Sequence, residues 1–201
     1  MVIAKATARP VTTLQSLTKL AEGGYNRLLE ATFDDGYQVI ARLPFPMLAP
    51  VHHFVASEAA TLDLLRMHHL PVPAVLDYSP TAANPAGTEY LLLEKIQGKP
   101  LGDSWFDLKR KTLAEIMEKV VLIEKEFFSI PLPASGSIYH RRDLLPGEVG
   151  VSLEDMDSKS ADFVIGPTAQ HAWFYRDRAS LRDIDRGPCK LKLSLISSNG
   201  S

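Results

Sequence analysis

Two charges stand where an isolated charge is costly. Arg42 lies inside an apolar, strand-like run between Ile40 and Leu43, and Glu58 lies beside the apolar stripe of a helical stretch. Buried alone, either would carry a large desolvation penalty; packed together they compensate each other and hold a guanidinium in place. A second feature is the pair Gly23-Gly24 in the turn Glu22-Gly23-Gly24-Tyr25-Asn26. Without side chains to clash, such a backbone can approach a ligand closely, and its N–H groups can face phosphate oxygens. Each feature also has a plainer reading: an ordinary turn, an arginine reaching solvent, an acid on a helix surface. The histidine pairs His52-His53 and His68-His69 do not argue for a metal, because adjacent side chains diverge and no third ligand is spaced with them. Asp155 and Asp157 lack the glycine and terminal glutamate of a calcium loop.

The elements that must position these residues follow from pattern. Val11 to Leu20 reads as a strand, Arg27 to Phe33 as a second, and Asp34-Asp35-Gly36 as a tight turn into a third, Tyr37 to Leu43. In that third strand Tyr37, Val39, Ala41 and Leu43 share one face, and Gln38, Ile40 and Arg42 the other. His53 to His69 has helical spacing, with Val55, Ala59, Leu62, Leu65 and His69 on one stripe and Glu58 beside it. Two more strands follow, Ala74 to Tyr78 and Glu89 to Ile96, then a connector carrying Gly98, Pro100 and Gly102. Thr112 to Phe128 reads as a second long helix with the stripe Leu113, Ile116, Val120, Ile123 and Phe127. From Ser129 onward regularity fades. Strands grouped beside helices argue for an α+β fold, an antiparallel sheet with helices packed to one side.

Composition narrows the classes. The chain has 201 residues, 22 Lys+Arg against 24 Asp+Glu and a formal net charge of −2, so it lacks the basic excess of a nucleic-acid binder. No apolar run approaches the roughly 18 residues of a membrane span. A single cysteine, Cys189, excludes an internal disulfide framework and fits a reducing compartment. The start is basic and hydroxyl-rich, with Lys5, Arg9 and Lys19 and no acid before Glu22. That composition is weakly like a mitochondrial transit peptide, but it lacks the repeated arginines and clear amphipathic face of one, and an ordinary N-terminus leading into a first strand is the favoured reading; the expected location is mitochondrial or cytoplasmic. The absence of a long apolar segment there speaks against secretion.

Several segments carry a resemblance: residues 17–27 (LTKLAEGGYNR), 35–44 (DGYQVIARLP), 56–61 (ASEAAT), 71–73 (PVP), 84–90 (NPAGTEY), 102–105 (GDSW), 163–167 (FVIGP) and 186–188 (RGP). Together they resemble the aminoglycoside phosphotransferase-like, protein-kinase-like family, and within it the fungal branch that includes the altered-inheritance-of-mitochondria proteins. The resemblance runs from about Leu14 to Pro188. It implies a kinase-like N-terminal lobe, a five-stranded antiparallel sheet plus one helix. Gly23, Gly24 and Asn26, with Tyr25 between them, match the nucleotide loop. Arg42 stands where kinases carry the lysine of the Lys–Glu pair that positions ATP phosphates, and Glu58 matches the glutamate. Glu94, Lys95 and Ile96 match the hinge that meets adenine. The implied cofactor is ATP, with Mg2+ in complete relatives, and the implied chemistry is phosphoryl transfer to a hydroxyl.

The catalytic loop of that family has the form H-x-D-x-x-x-x-N, followed by a metal-binding Asp. The nearest segment, His140 to Glu148, has an extra residue between His140 and Asp143 and a glutamate, Glu148, where the asparagine should be. Asp162-Phe163 is followed by Val164 in place of glycine, with only 39 residues beyond Asp162. No catalytic residue and no metal ligand is therefore assigned. After Pro188 the pattern stops, and residues 189–201 (CKLKLSLISSNGS) continue nothing recognisable. The expectation is a truncated product or a gene model that ran through a splice boundary. Four segments follow: a tail over 1–10, the lobe over 11–97, a hinge, helix and partial, mostly helical or irregular region over 98–188, and an unrelated tail over 189–201. The rival reading is a non-enzymatic interaction module, a pseudokinase fragment binding a protein through the apolar surface of the second helix at Ile116, Val120 and Ile123.

Overall fold

A computed structural model describes residues 2–45, 50–154, 160–181 and 184–190. Asp155, Asp157 and the tail beyond Lys190 lie outside those residues. The element order is α1 (Val2–Ala6), β1 (Leu14–Glu22), β2 (Asn26–Phe33), β3 (Gln38–Pro44), α2 (Val51–Met67), β4 (Val75–Ser79), β5 (Tyr90–Glu94), α3 (Arg110–Ser129), β6 (Ala134–Ser135), β7 (Ser137–His140), β8 (Val151–Ser152), β9 (Phe163–Gly166) and β10 (Cys189–Lys190).

Strands β1 to β5 form one antiparallel sheet in the order β1-β2-β3-β5-β4. The β2–β3 turn depends on Gly36, whose φ of 80° lies in the left-handed region, and on Asp35, whose Oδ1 accepts from the Tyr37 N–H at 2.9 Å. Alternation in β3 sorts its two faces as expected. Val39 and Ala41 join Ala31, Phe33, Tyr90 and Leu92 in a buried cluster on the outer face. Arg42 points to the inner face, towards α2.

The outer face corrects the sequence reading. Residues 1–10 are not a bare tail: α1 lays Ile3 and Ala4 onto that apolar cluster, so the sheet carries a helix on each side. Arg9 fastens this cover, pairing with Asp35 at 2.7 Å and stacking over Tyr37 at 3.9 Å. Val11–Thr13 is a single helical turn, and β1 begins at Leu14 and runs on through Glu22.

Helix α2 starts behind Pro50 and ends in a Schellman motif. Leu70 N–H donates to Leu65 O at 3.0 Å and His69 N–H to Arg66 O at 2.9 Å, with His69 left-handed at φ 61°. His69 is therefore a helix terminator exposed to solvent, not a member of the apolar stripe. Helix α2 is buried on more than one side: His53, Val55, Ala56, Ser57, Ala59, Ala60 and Leu64 are all covered. A second sheet, ordered β7-β9-β8, lies against it. Ala60 and Leu64 pack with Ala134, Leu153, Phe163 and Ile165, and Ala56 with Tyr139 and Val164. The region after Ser129 is mostly irregular chain, and the short strands β6 to β10 set within it are what the sequence reading did not anticipate. Strand β10 pairs with β6, which ties Cys189 and Lys190 into the fold rather than into a separate tail.

Candidate functional site

The inner face of β3 brings the two singled-out charges together. Arg42 Nη1 donates to Glu58 Oε1, and both side chains are about three-quarters buried. Phe54, one turn before Glu58 on α2, sits 5.7 Å from the guanidinium carbon. Asn26, the first residue of β2, satisfies both of its neighbours in one amide orientation: its oxygen accepts from Arg42 Nη2 at 2.8 Å and Nε at 3.2 Å, and its nitrogen donates to Tyr25 O at 3.3 Å. The glycine turn, the central strand and α2 therefore meet at one guanidinium. Burial holds the Glu58 carboxyl above the usual carboxylate range, outweighing the pull of Arg42 in the opposite direction.

The turn itself differs in detail from the sequence reading. Gly23 N–H donates to Asn26 O at 3.0 Å, so it closes the turn instead of facing a ligand. Both Gly23 and Gly24 border open space, and a Cβ at either would meet nothing within 4 Å. Tyr25 is exposed, its ring edge-on to His171 at 5.8 Å. Strand β1 is exposed along nearly its whole length, which leaves the β1–β2 hairpin overhanging solvent.

The three hinge residues part company. Glu94 ends β5 and pairs with Arg66 at 3.4 Å. Lys95 reaches back across the sheet to pair with Glu30 of β2, whose other oxygen accepts from Gln38 Nε2 at 3.1 Å. Ile96 is exposed. Glu30 was not singled out from the sequence; its signal was an acid at an inward-alternating strand position, the same signal that marked Arg42.

The near-match to a catalytic loop is engaged in structural contacts. The Asp143 carboxylate accepts from Tyr78 OH at 2.6 Å, on the sheet edge opposite β1, and its carbonyl oxygen pairs with His52 Nε2 at 2.8 Å. Burial, reinforced by that carboxylate, raises the Tyr78 phenol above its ordinary value. Glu148 is 2.6 Å from His53 Nε2 and accepts from the Leu145 N–H at 2.9 Å. His140 pairs with Asp63 at 3.0 Å. Residues 140–148 thus clamp α2, while Asp162 is exposed. His52 and His53 serve this clamp, and among the described residues no three His, Cys, Asp or Glu side chains gather as a metal site.

The fold and site define an α+β protein whose central strand holds an arginine ion-paired to the helix beneath it and bound to the turn above it. No protein-family model matches the chain. It is similar to a subtelomeric hrmA-associated cluster protein of Aspergillus fumigatus, with 39% identity over 176 residues, 87% of this chain and 33% of that protein. It is also similar to altered inheritance of mitochondria protein 9, mitochondrial, of Candida tropicalis, at 28% identity over 78% of this chain and 27% of that protein. The same-named protein of Meyerozyma guilliermondii matches at 26% over 92% of this chain and 33% of its own length. Similarity to these fungal proteins, altered-inheritance-of-mitochondria proteins among them, extends over most of this chain. The chain spans about a third of the length of the curated relatives it matches. No helix among the described residues is long and apolar enough to cross a membrane.

Proposed function

We propose that this chain is the nucleotide-binding lobe of an ATP-dependent phosphotransferase of the aminoglycoside phosphotransferase-like, protein-kinase-like class. One observation carries the reading: the guanidinium of Arg42 is fixed between Glu58 of α2 and Asn26 of the glycine turn. A cation set by a helix glutamate beneath a bare turn between the first two strands is the arrangement that positions nucleotide phosphates in kinases. The donor count fits a phosphate. Of the five N–H donors of Arg42, Glu58 and Asn26 engage three, which leaves two for a phosphate oxygen. Glu58 and Asn26 hold the guanidinium plane, the overhanging turn limits water above the phosphates, and the backbone after Glu94 offers the adenine edge its hydrogen bonds. Bound ATP supplies the phosphoryl group; the acceptor hydroxyl and Mg2+ sites belong to the longer proteins of this branch. On the names of the curated relatives we assign the protein to the mitochondrion.

The test is nucleotide-dependent thermal stability with Mg-ATP, ADP and AMP. Wild type is expected to melt at higher temperature with ATP, and Arg42→Ala to lose that shift while keeping its far-UV circular dichroism. A shift that survives Arg42→Ala, or no shift in wild type, overturns the reading. A second reading, a pseudokinase-like interaction module, draws on α3, none of whose residues is buried. A chain blind to nucleotide but able to self-associate would favour it.

A further inference from the structure

We infer that residues 168–181 form a strap across the Arg42 site, docked on the glycine turn and on α2, and that a ligand reaches Arg42 when the strap lets go. That the ligand is a nucleotide rests on the reading above; the gating does not.

Two runs of ring contacts dock the strap. From the turn, Tyr25 meets His171 edge-on at 5.8 Å, and His171 meets Tyr175 edge-on at 5.5 Å. From the start of α2, His53 stacks on Phe174 at 6.1 Å, and the Arg186 guanidinium lies over the same ring at 4.7 Å. Phe174 and Tyr175 are consecutive, so one short stretch of chain joins both contacts. The two anchor points adjoin the residues that hold Arg42. Tyr25 precedes Asn26, whose oxygen accepts from the guanidinium, and His53 precedes Phe54, which flanks it. A strap fixed at both points spans the gap between turn and helix at whose base Arg42 lies.

The strap holds its own shape. At its neck the Thr168 N–H donates to Arg186 O at 2.7 Å. Arg186 Nη2 donates to Arg178 O at 2.7 Å and Nη1 to Leu181 O at 3.1 Å, and Arg178 Nη1 donates to Ala172 O at 2.8 Å. Such internal bonding is the mark of an Ω-loop. Docking is weaker: Trp173, Tyr175 and Leu181 stay 42%, 47% and 48% exposed, and ring contacts add little beyond the area they bury. Two costs oppose the docked form. Arg176 is left-handed at φ 54° although it is not glycine. Arg186 Nε is buried without an acceptor, alone in this among the described residues, and exposure to water on release satisfies it. Firm internal bonding with weak docking lets a segment move as a unit.

Access is read on Arg42 itself. The full chain is treated with phenylglyoxal, an arginine-directed dicarbonyl, and the initial rate of modification at each arginine is followed by peptide mass spectrometry. Phe174→Ala and His171→Ala should each speed modification of Arg42 about two- to tenfold, the factor that one lost aromatic pair gives, with unchanged far-UV circular dichroism. Arg110, exposed on α3, is the control and should react at one rate throughout. Trypsin should cut after Arg176 and Arg178 faster in the same variants. Equal Arg42 rates in wild type and both variants, or a rise shared by Arg110, would overturn the proposal. No nucleotide enters this assay. A gated Arg42 in a chain that ATP does not stabilise keeps the strap and removes the reading above; an ungated Arg42 in a chain that ATP stabilises does the reverse.

Discussion

Helices α2 and α3 announce themselves in the same way in the sequence, each by an apolar stripe at helical spacing, and they have opposite fates. Helix α2 is covered by the five-stranded sheet on one side and by β7-β9-β8 on another. Helix α3 has no buried residue. The difference lies in side-chain size off the stripe. Ala56, Ser57 and Ala60 let a second layer approach α2 closely, whereas Met117, Val121 and Phe128 spread exposed bulk around α3. A periodic stripe shows that a face is apolar; small residues beside it show where another layer can come down.

The sharpest way to break this comparison is truncation on both helices. Leu64→Ala on α2 should cost about 2–5 kcal/mol in urea unfolding, because Leu64 is fully buried in a cluster with Leu153, Phe163 and Ile165. Val121→Ala on α3, measured at low protein concentration, should stay within about 0.5 kcal/mol. Equal costs would erase the distinction. Next in size, Gly136→Ala should cost roughly 1–3 kcal/mol, since its Cβ would lie 2.3 Å from Gly166 O and 2.7 Å from Ile165 Cγ2 in the layer that covers α2. Gly24→Ala, over open space, should leave the melting temperature nearly unchanged.

Arg42→Ala removes the counter-charge of Glu58. It should cost about 1–2 kcal/mol, less than a fully buried pair, because roughly a quarter of each side chain remains in water. The smallest expected effect concerns pH. Burial raises the Glu58 pKa in the folded protein above its ordinary value of 4.5. The folded state therefore keeps this proton to higher pH than the unfolded chain does. The Glu58 contribution favours folding most below 4.5 and is lost as pH rises through the folded value. Urea midpoints of wild type and Glu58→Gln, compared from acid to neutral pH, should show this downward slope in wild type alone.

The five main strands and two long helices were legible because alternation, the Asp35-Gly36 turn and proline breaks are local signals. Arg42 and Glu58 stood out as charges within apolar patterns, but it was the family resemblance that paired them, since pattern alone fits a solvent-facing side chain at either position. Three things were not legible. Helix α1 is five residues long, too short to show a period. Strands β6 to β9 are two to four residues long, and β9 is buried at every position, so nothing alternates. The Lys95–Glu30 pair and the α2 clamp join residues 65 to 95 positions apart, a distance at which spacing carries no information.

The clamp on α2 has a consequence for synthesis of the chain on the ribosome. The large sheet can close once Glu94 has emerged, but His52, His53 and Asp63 meet their partners only when residues 140–148 arrive, and Ala60 and Leu64 wait for Ile165. At typical elongation rates that interval of roughly 70 residues lasts about 4–14 s. Through it one flank of a completed helix faces the cytosol uncovered, a natural station for a holding chaperone.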